Sequence, residues 1–241
     1  MKAVVLTSNS LRHRYFANVI SENFELVGLV AEPKFDYFSF QQQKSLLVQE
    51  HFRRLERYER KYFGSYGGFP QCPLMEVAVK QINDEQVIRW IQQKNPQYVF
   101  LFGTGILNDK WLALYSDKII NLHLGLSPDY KGTATLFWPF ANDDLRHLGV
   151  TIHIATGQVD AGAILGQIKP DIDIGDNYYD ITNKIIRKAI DHFPRLVRAY
   201  DQAAIVPVPQ KPGAHSRTYR KDQFTEEVLQ KVLNKYGNGL K

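Results

Sequence analysis

Cysteine is almost missing from this chain. Cys72 is the only one in 241 residues, so no disulfide can form within the chain, and a reducing, cytosolic setting is the expectation. Long apolar runs are missing as well. None approaches the roughly 20 residues that a membrane span needs. Met1-Lys2-Ala3-Val4-Val5-Leu6 is too short for a secretory signal and reads as a first strand. The histidines are too scattered for a metal-ligand spacing, which excludes an obvious metal centre. Repeats and low-complexity tracts are absent. A large charge excess is absent too. The net charge of +5 suits an anionic ligand but is too small to argue for nucleic acid.

What is present is ordinary globular composition with strand and helix patterns in alternation. Residues 3–6 form a short apolar run rich in β-branched side chains. Leu11–Asn23 has helical spacing, with Phe16, Val19 and Ile20 on one side. Residues 25–30 return to a strand. Residues 41–63 are long, charged and helical, with Leu46, Leu47, Phe52, Leu55 and Tyr58 on one face. A Gly- and Pro-containing break covers 64–73, and 75–79 reads as a short strand. Residues 84–93 read as a helix with Asp84 as N-cap. Strands follow at 97–102 and 119–123, and a helix start at 135–141. Val150, Ile152 and Ile154 then alternate with Thr151, His153 and Ala155, the period of a half-buried strand. A second strand at 163–168 completes a hairpin. A long helix at 176–200, interrupted or bent at Pro194, precedes a Pro-rich, basic tail and a last helix at 225–236. The fold class is α/β: a mixed, mainly parallel sheet flanked by helices. The expected division is a catalytic domain over 1–204 and a short basic C-terminal extension over 205–241.

In such sheets ligands gather at the carboxyl ends of the strands. One of those ends carries Asn121-Leu122-His123. On a strand, Asn121 and His123 point to the same face. An amide donor beside a titratable imidazole suits a carbonyl oxygen that gains charge while a proton moves nearby. Downstream, Gly157-Gln158-Val159-Asp160-Ala161-Gly162 offers Asp160 to orient and charge the imidazole. Each residue alone has an ordinary explanation: a turn asparagine, a satisfied histidine, a turn-forming aspartate. His153 lies on the face opposite Val150, Ile152 and Ile154 and reads as a second-face residue rather than a catalytic one, placed where it could touch ligand. Glu50 to Arg60 mixes signs along a helix and reads as a solvated face. The alternative is a border of the ligand pocket or a homodimer interface.

The order of motifs is more specific than any one of them. Leu101-Phe102-Gly103-Thr104-Gly105-Ile106-Leu107 comes first. Asn121-Leu122-His123, Pro128 to Gly132, Gly149-Val150-Thr151-Ile152 and Val159-Asp160-Ala161-Gly162 then follow in that order. From about 97 to 168 the chain resembles the 10-formyltetrahydrofolate-dependent formyltransferase superfamily, most of all the sugar N-formyltransferases. The resemblance implies a Rossmann-like formyltransferase fold. It also implies transfer of a formyl group from 10-formyltetrahydrofolate, as co-substrate, to a primary amine, without a metal. Asn121 would donate to the oxyanion. His123 would stabilise that oxyanion as imidazolium or take the amine's proton, and Asp160 would favour protonated His123. Phe102, Gly103, Gly105, Ile106 and Leu107 would border the pterin, and the loop 155–162, with Gly157 and Val159, would close its other side.

The chain also departs from the family pattern. Where many members carry Pro and Ser after the motif histidine, this sequence has Leu124 and Gly125. The loop 124–131 therefore leaves the acceptor open, with Ser127, Tyr130 and Lys131 as candidate contacts. No Gly-x-Gly-x-x-Gly follows the first strand. Ser10, Arg12 and Arg14 stand there instead, at a helix start suited to an acceptor phosphate. The basic tail is too short for a second nucleic-acid-binding barrel, which disfavours tRNA. The preferred acceptor is a nucleotide-linked amino sugar of lipopolysaccharide or other surface-polysaccharide synthesis. The alternatives are a small amine such as hydroxyornithine, hydrolysis of the formyl-folate, or a non-catalytic folate- or nucleotide-binding protein.

Overall fold

The computed structural model describes residues 1–33 and 45–240. A seven-stranded sheet runs through its centre. The strands are β1 (Lys2–Thr7), β2 (Glu25–Ala31), β3 (Leu74–Glu76), β4 (Tyr98–Phe102), β5 (Ile119–His123), β7 (Val150–Ile154) and β8 (Ile164–Ile168). Their order is β3-β2-β1-β4-β5-β7-β8. The first five are parallel; β7 runs antiparallel beside β5, and β8 antiparallel beside β7. The sheet is therefore mixed, with the late hairpin on one edge.

Both faces are covered, and strand periodicity decides which residue goes where. Ala3 and Val5 of β1, Tyr98, Phe100 and Phe102 of β4, and Ile120 and Leu122 of β5 point into one core cluster. There they meet Phe16 of α1 (Leu11–Asn23), Val48 and Phe63 of α2 (Leu46–Phe63), and Ile190 and Phe193 of α6 (Tyr178–Asp201). The alternate residues Val4, Leu6, Val99, Leu101 and Ile119 point into a second cluster. It is closed by Ile88 of α3 (Glu85–Gln93) and Trp111 of α4 (Asp109–Tyr115). The Trp111 indole is fully buried and donates to the Ile82 carbonyl at 3.1 Å, so its one polar atom is satisfied.

Helix starts follow local chemistry. Ser45, Asn108, Asn177 and Thr225 each accept a backbone N–H of the following turn, at a typical gain of about 1 kcal/mol. Ser45 sets the described start of α2; residues 41–44 of the expected helix lie outside the described residues. Asp84 occupies the N-cap position of α3, but its side chain makes no capping bond. Pro139 lies in the first turn of α5 (Trp138–Ala141), where its missing N–H costs nothing, so the expected helix at 135–141 shortens to its second half. Pro194 lies inside α6, which continues through it to Asp201 rather than being interrupted.

One α-helix and two strands were not expected from the sequence: α4, β6 (Tyr130–Gly132) and β9 (Arg217–Tyr219). Strands β6 and β9 pair in parallel as a separate two-stranded sheet. The last helix, α7 (Glu226–Tyr236), contributes Leu229, Val232 and Tyr236 to the first core cluster. Residues after 204 are thus packed into the same core as the sheet. Among the described residues no helix is long and apolar enough to cross a membrane.

Candidate active site

The period of two places Ile119, Asn121 and His123 on one face of β5. Register then adds a residue from the neighbouring strand. Asn121 is opposite His153 in the antiparallel β5–β7 pair, and His123 is opposite Thr151. The Asn121 Nδ2 lies 3.1 Å from His153 Nε2. The His153 Nδ1 lies 2.9 Å from its neighbour's carbonyl, Ile154 O. In the neutral ring Nδ1 carries the proton and donates it to that carbonyl. Nε2 is then free to accept from Asn121. His153 thus keeps the face opposite Val150 and Ile152 that alternation gives it, and there it meets Asn121 in the candidate site. Its place depends on register between two strands, which alternation within one strand does not reveal.

Asp160 closes the group. Its Oδ1 lies 3.1 Å from His123 Nδ1 and 3.8 Å from His153 Nε2, and its Oδ2 accepts the Gly132 N–H at 3.2 Å. The His123 Nε2 lies 3.0 Å from the Tyr130 carbonyl. Both nitrogens of His123 therefore face acceptors, and only the imidazolium can donate to both. Burial acts the other way. His123 is 7 % exposed, and that burial is the largest influence on it. It holds the imidazole below the ordinary histidine pKa, against the pull of Asp160 and the Tyr130 carbonyl. Asp160 is also mostly buried, which opposes its ionisation. The neighbouring His153 and His123 imidazoles and the Gly132 amide outweigh this and hold the carboxyl below its usual range. The resting pair is a carboxylate beside a neutral imidazole whose protonation would complete the hydrogen bonding. That is the condition of a base waiting for a proton.

Glycine makes this geometry available. A Cβ at Gly125 would lie 2.4 Å from both His123 Nε2 and Tyr130 O. Position 125 therefore admits the observed imidazole only because it carries no side chain. Asp160 itself has a φ of +52°, a left-handed conformation that Asp tolerates better than most residues.

The residues expected to border a folate divide in two. Phe102 and Leu107 are buried in the two core clusters, Phe102 against His13 and Phe16, so neither side chain is open to a ligand. Ile106 (69 % exposed) and Val159 (49 %) leave large apolar side chains in solvent on the two loops in question. Gly157 lines a shallow cavity of about 300 Å³ together with Leu112, Ser116, Asp117 and residues 154–156. Gly103 has a φ of +75° and packs on His13, where a Cβ would meet Nε2 at 2.3 Å. Gly105 donates its N–H to Glu32 at 3.2 Å. Exposed apolar residues on both loops, with a cavity beside one of them, fit a flat heterocycle.

The expected acceptor contacts come out differently. Ser127 is fully buried; its N–H donates to Thr151 Oγ1 and its carbonyl accepts from Gln167, so it faces the core. The Tyr130 ring is buried and its hydroxyl donates to Asp144; only its carbonyl reaches the site. Lys131 is half-buried beside His123. At the start of α1, Ser10 Oγ lies 2.5 Å from His13 Nδ1. The Arg12 N–H donates to the Glu59 carboxylate at 3.0 Å, and its guanidinium lies 3.8 Å from the same group. Arg14 donates to the carbonyls of Asn9 and Gly67. Glu59 thus takes the anion position that a helix start offers, where a phosphate was expected. Among the described residues no group of three or more His, Cys, Asp or Glu is placed to hold a metal ion.

The chain is 30% identical over 107 residues to the phosphoribosylglycinamide formyltransferase of Escherichia coli, covering 44% of this chain and 50% of that protein. The chain spans about half the length of the curated relatives it matches. In fold it is similar to the phosphoribosylglycinamide formyltransferase of Anaplasma phagocytophilum (TM-score 0.62, 18% identity, 92% of this chain and 98% of that one). It is also similar to an N-formyltransferase of Helicobacter canadensis whose structure holds folinic acid and dTDP-3-aminofucose. There the TM-score is 0.59 at 16% identity, over 97% of this chain and 80% of that one. The family model for formyl transferase matches residues 40–197, a span that contains the paired Asn121 and His153 and the facing His123 and Asp160: the chain belongs to the formyl transferase family.

Proposed function

We propose that this protein transfers the formyl group of 10-formyltetrahydrofolate to a primary amine carried on a nucleotide-linked sugar. The observation that carries the formyl-transfer reading is the group Asn121, His123, His153 and Asp160 at the carboxyl end of β5. In the reaction a nitrogen–carbon bond forms between amine and formyl carbon, the bond from that carbon to the folate nitrogen breaks, and one proton passes from amine to folate. Asn121 has two amide hydrogens. One is directed at His153, which leaves the other for the carbonyl oxygen as it gains charge. Neutral His123 takes up the amine's proton, and Asp160 stabilises the imidazolium that results. Because both His123 nitrogens are engaged, donation to a ligand requires exchange of its bond to the Tyr130 carbonyl.

Ile106 and Val159 supply apolar contact for the pterin, and Gly157, with room where a Cβ would lie, supplies close backbone approach. The amino-sugar acceptor is supported by the net charge of +5, which suits a diphosphate. The fold shared with the Helicobacter canadensis protein is in keeping with it. A cytosolic location and a place in surface-polysaccharide synthesis go with that acceptor; neither a nucleic acid nor a membrane is needed. The test is formyl transfer from 10-formyltetrahydrofolate to a panel of amines: dTDP- and UDP-linked amino sugars, glycinamide ribonucleotide, hydroxyornithine, and no amine. Formylation of a nucleotide-linked amino sugar with the highest kcat/KM is the expected outcome. Preference for another amine would overturn the acceptor. Formate release at an equal rate without amine would overturn transfer itself.

A further inference from the structure

The segment that follows α6 touches the site twice. At Val208 the chain bridges to Ile164, with N–H to carbonyl distances of 2.8 and 2.9 Å, just beyond the Asp160 loop. Gln210 then reaches back into that loop. Its Nε2 donates to the Asp160 carbonyl at 2.9 Å and to the Gly162 carbonyl at 2.7 Å. Further on, the Ser216 hydroxyl donates to the Pro128 carbonyl at 2.7 Å and the Arg217 N–H to the Asp129 carbonyl at 2.9 Å. Strand β9 then pairs with β6, register partners being Tyr130 with Arg217 and Gly132 with Tyr219.

Strand β6 is the element whose backbone meets the candidate catalytic pair: the Tyr130 carbonyl faces His123 and the Gly132 N–H donates to Asp160. Tyr219 secures it. Its ring stacks on Trp138 at 4.4 Å and 10°, and on Tyr130 at 5.7 Å and 4°. Its hydroxyl accepts from Asn142 at 2.6 Å, and its carbonyl accepts the Thr133 N–H at 3.0 Å. Alone, a three-residue strand cannot hold a fixed position. Here it is held by a second strand and an aromatic stack.

We infer that residues 208–219 hold the His123–Asp160 pair from two sides, with Gln210 and Tyr219 as positioning residues: Gln210 fixes the Asp160 loop, and Tyr219 fixes the strand that supplies the Tyr130 carbonyl and Gly132 amide. The kinetic consequence rests on the formyl-transfer reading; the geometric one does not.

The experiment compares Gln210→Ala, Tyr219→Ala and Tyr219→Phe in the full chain. The first readout is the NMR pH titration of the His123 imidazole, assigned against His123→Asn, which requires no turnover. The second is kcat and KM for 10-formyltetrahydrofolate. Both alanine variants should move the His123 midpoint toward that of Asp160→Asn. They should lower kcat by about tenfold or more, while KM stays within about twofold, because misplaced groups cost rate before they cost binding. Tyr219→Phe keeps the stack and should restore the wild-type midpoint. A wild-type His123 titration in both alanine variants would overturn the inference. So would a Tyr219→Phe midpoint displaced as far as that of Tyr219→Ala. Should Tyr219→Ala fail to fold, Gln210→Ala decides alone, since it removes two hydrogen bonds and leaves the stack in place. Should the wild-type protein formylate no amine, the titration still decides the positioning role, and the failure belongs to the proposed function.

Discussion

Asn121 and His153 are register partners on adjacent antiparallel strands, and the histidine ring fixes the direction in which the amide donates. Removing Asn121's side chain by Asn121→Ala should lower kcat by roughly 100-fold, the usual loss for one positioned oxyanion donor. His153→Ala leaves the amide present but unanchored, so a smaller loss, on the order of tenfold, is expected. Steady-state kinetics of the two variants check this; full activity in His153→Ala would deprive the ring of its orienting role.

Asp160 Oδ1 lies 3.1 Å from His123 Nδ1. Asp160→Asn removes the carboxylate that draws a proton to His123, while burial remains. The imidazole midpoint should move further down, and kcat should fall by about 100-fold or more, in the range typical of lost acid–base assistance. Under the proposed mechanism neutral His123 takes the amine's proton, so wild-type kcat/KM should rise with pH through the lowered His123 midpoint and then level. A rate that falls across that interval would mean that the imidazolium is the form required at the start.

Gly125→Ala places a methyl group 2.4 Å from His123 Nε2 and 2.7 Å from Thr135 Cβ. Neither neighbour has room to give, because the Tyr130 carbonyl lies equally close. The variant should lose about 1–3 kcal/mol of stability, as overpacked sites do, and most of its activity. Denaturant unfolding together with an activity assay measures both, and a stable variant of full activity would show that His123 works from another orientation.

Arg12 faces Glu59 with both its backbone N–H and its guanidinium. Arg12→Ala should therefore lower Tm by a few degrees while the acceptor KM stays within about twofold. An increase in acceptor KM of tenfold or more would return a phosphate to this helix start.

His51 supplies a pH dependence of stability that is independent of catalysis. It is buried on α2 with Nδ1 2.9 Å from the Tyr179 hydroxyl, and burial, aided by the Arg54 charge, pushes its pKa down to about 4. Between the unfolded value near 6.5 and the folded value near 4, the unfolded chain binds a proton that the folded one does not. Stability must then fall as the pH drops through that window and flatten below it, by roughly 3 kcal/mol in all. His51→Gln should reduce that slope; thermal unfolding from pH 7 to 4 measures it, and an unchanged slope would place the proton elsewhere.

The sheet was legible in the sequence because its strands alternate between two buried faces, and period two is visible residue by residue. The pair Asn121 and His123 was legible for the same reason. His153 was not, because its role comes from the strand beside it. Phe102 was assigned to a ligand by motif position, although its spacing from Tyr98 and Phe100 already placed it on the core side. Strands β6 and β9 left no periodic trace, being three residues each with Gly132 in one of them. What marks them in space is the Tyr130–Tyr219–Trp138 stack between residues far apart in the chain.

The loop between β7 and β8 is closed at its base. Ile154 N–H donates to the Ala163 carbonyl at 2.9 Å, and Gly162 lies so near Ile154 that a Cβ would come within 1.7 Å of its carbonyl. Only the tip, with Gly157 and Val159, extends into solvent. A ligand meeting this loop has little chain to immobilise, so its association entropy is spent on the ligand's own freedom and not on the protein's. Binding should then proceed in a single fast phase with a small change in hydrogen-exchange protection. The same closure leaves a lengthened loop no way to be accommodated at its base, so natural variation in its size can enter only at the tip.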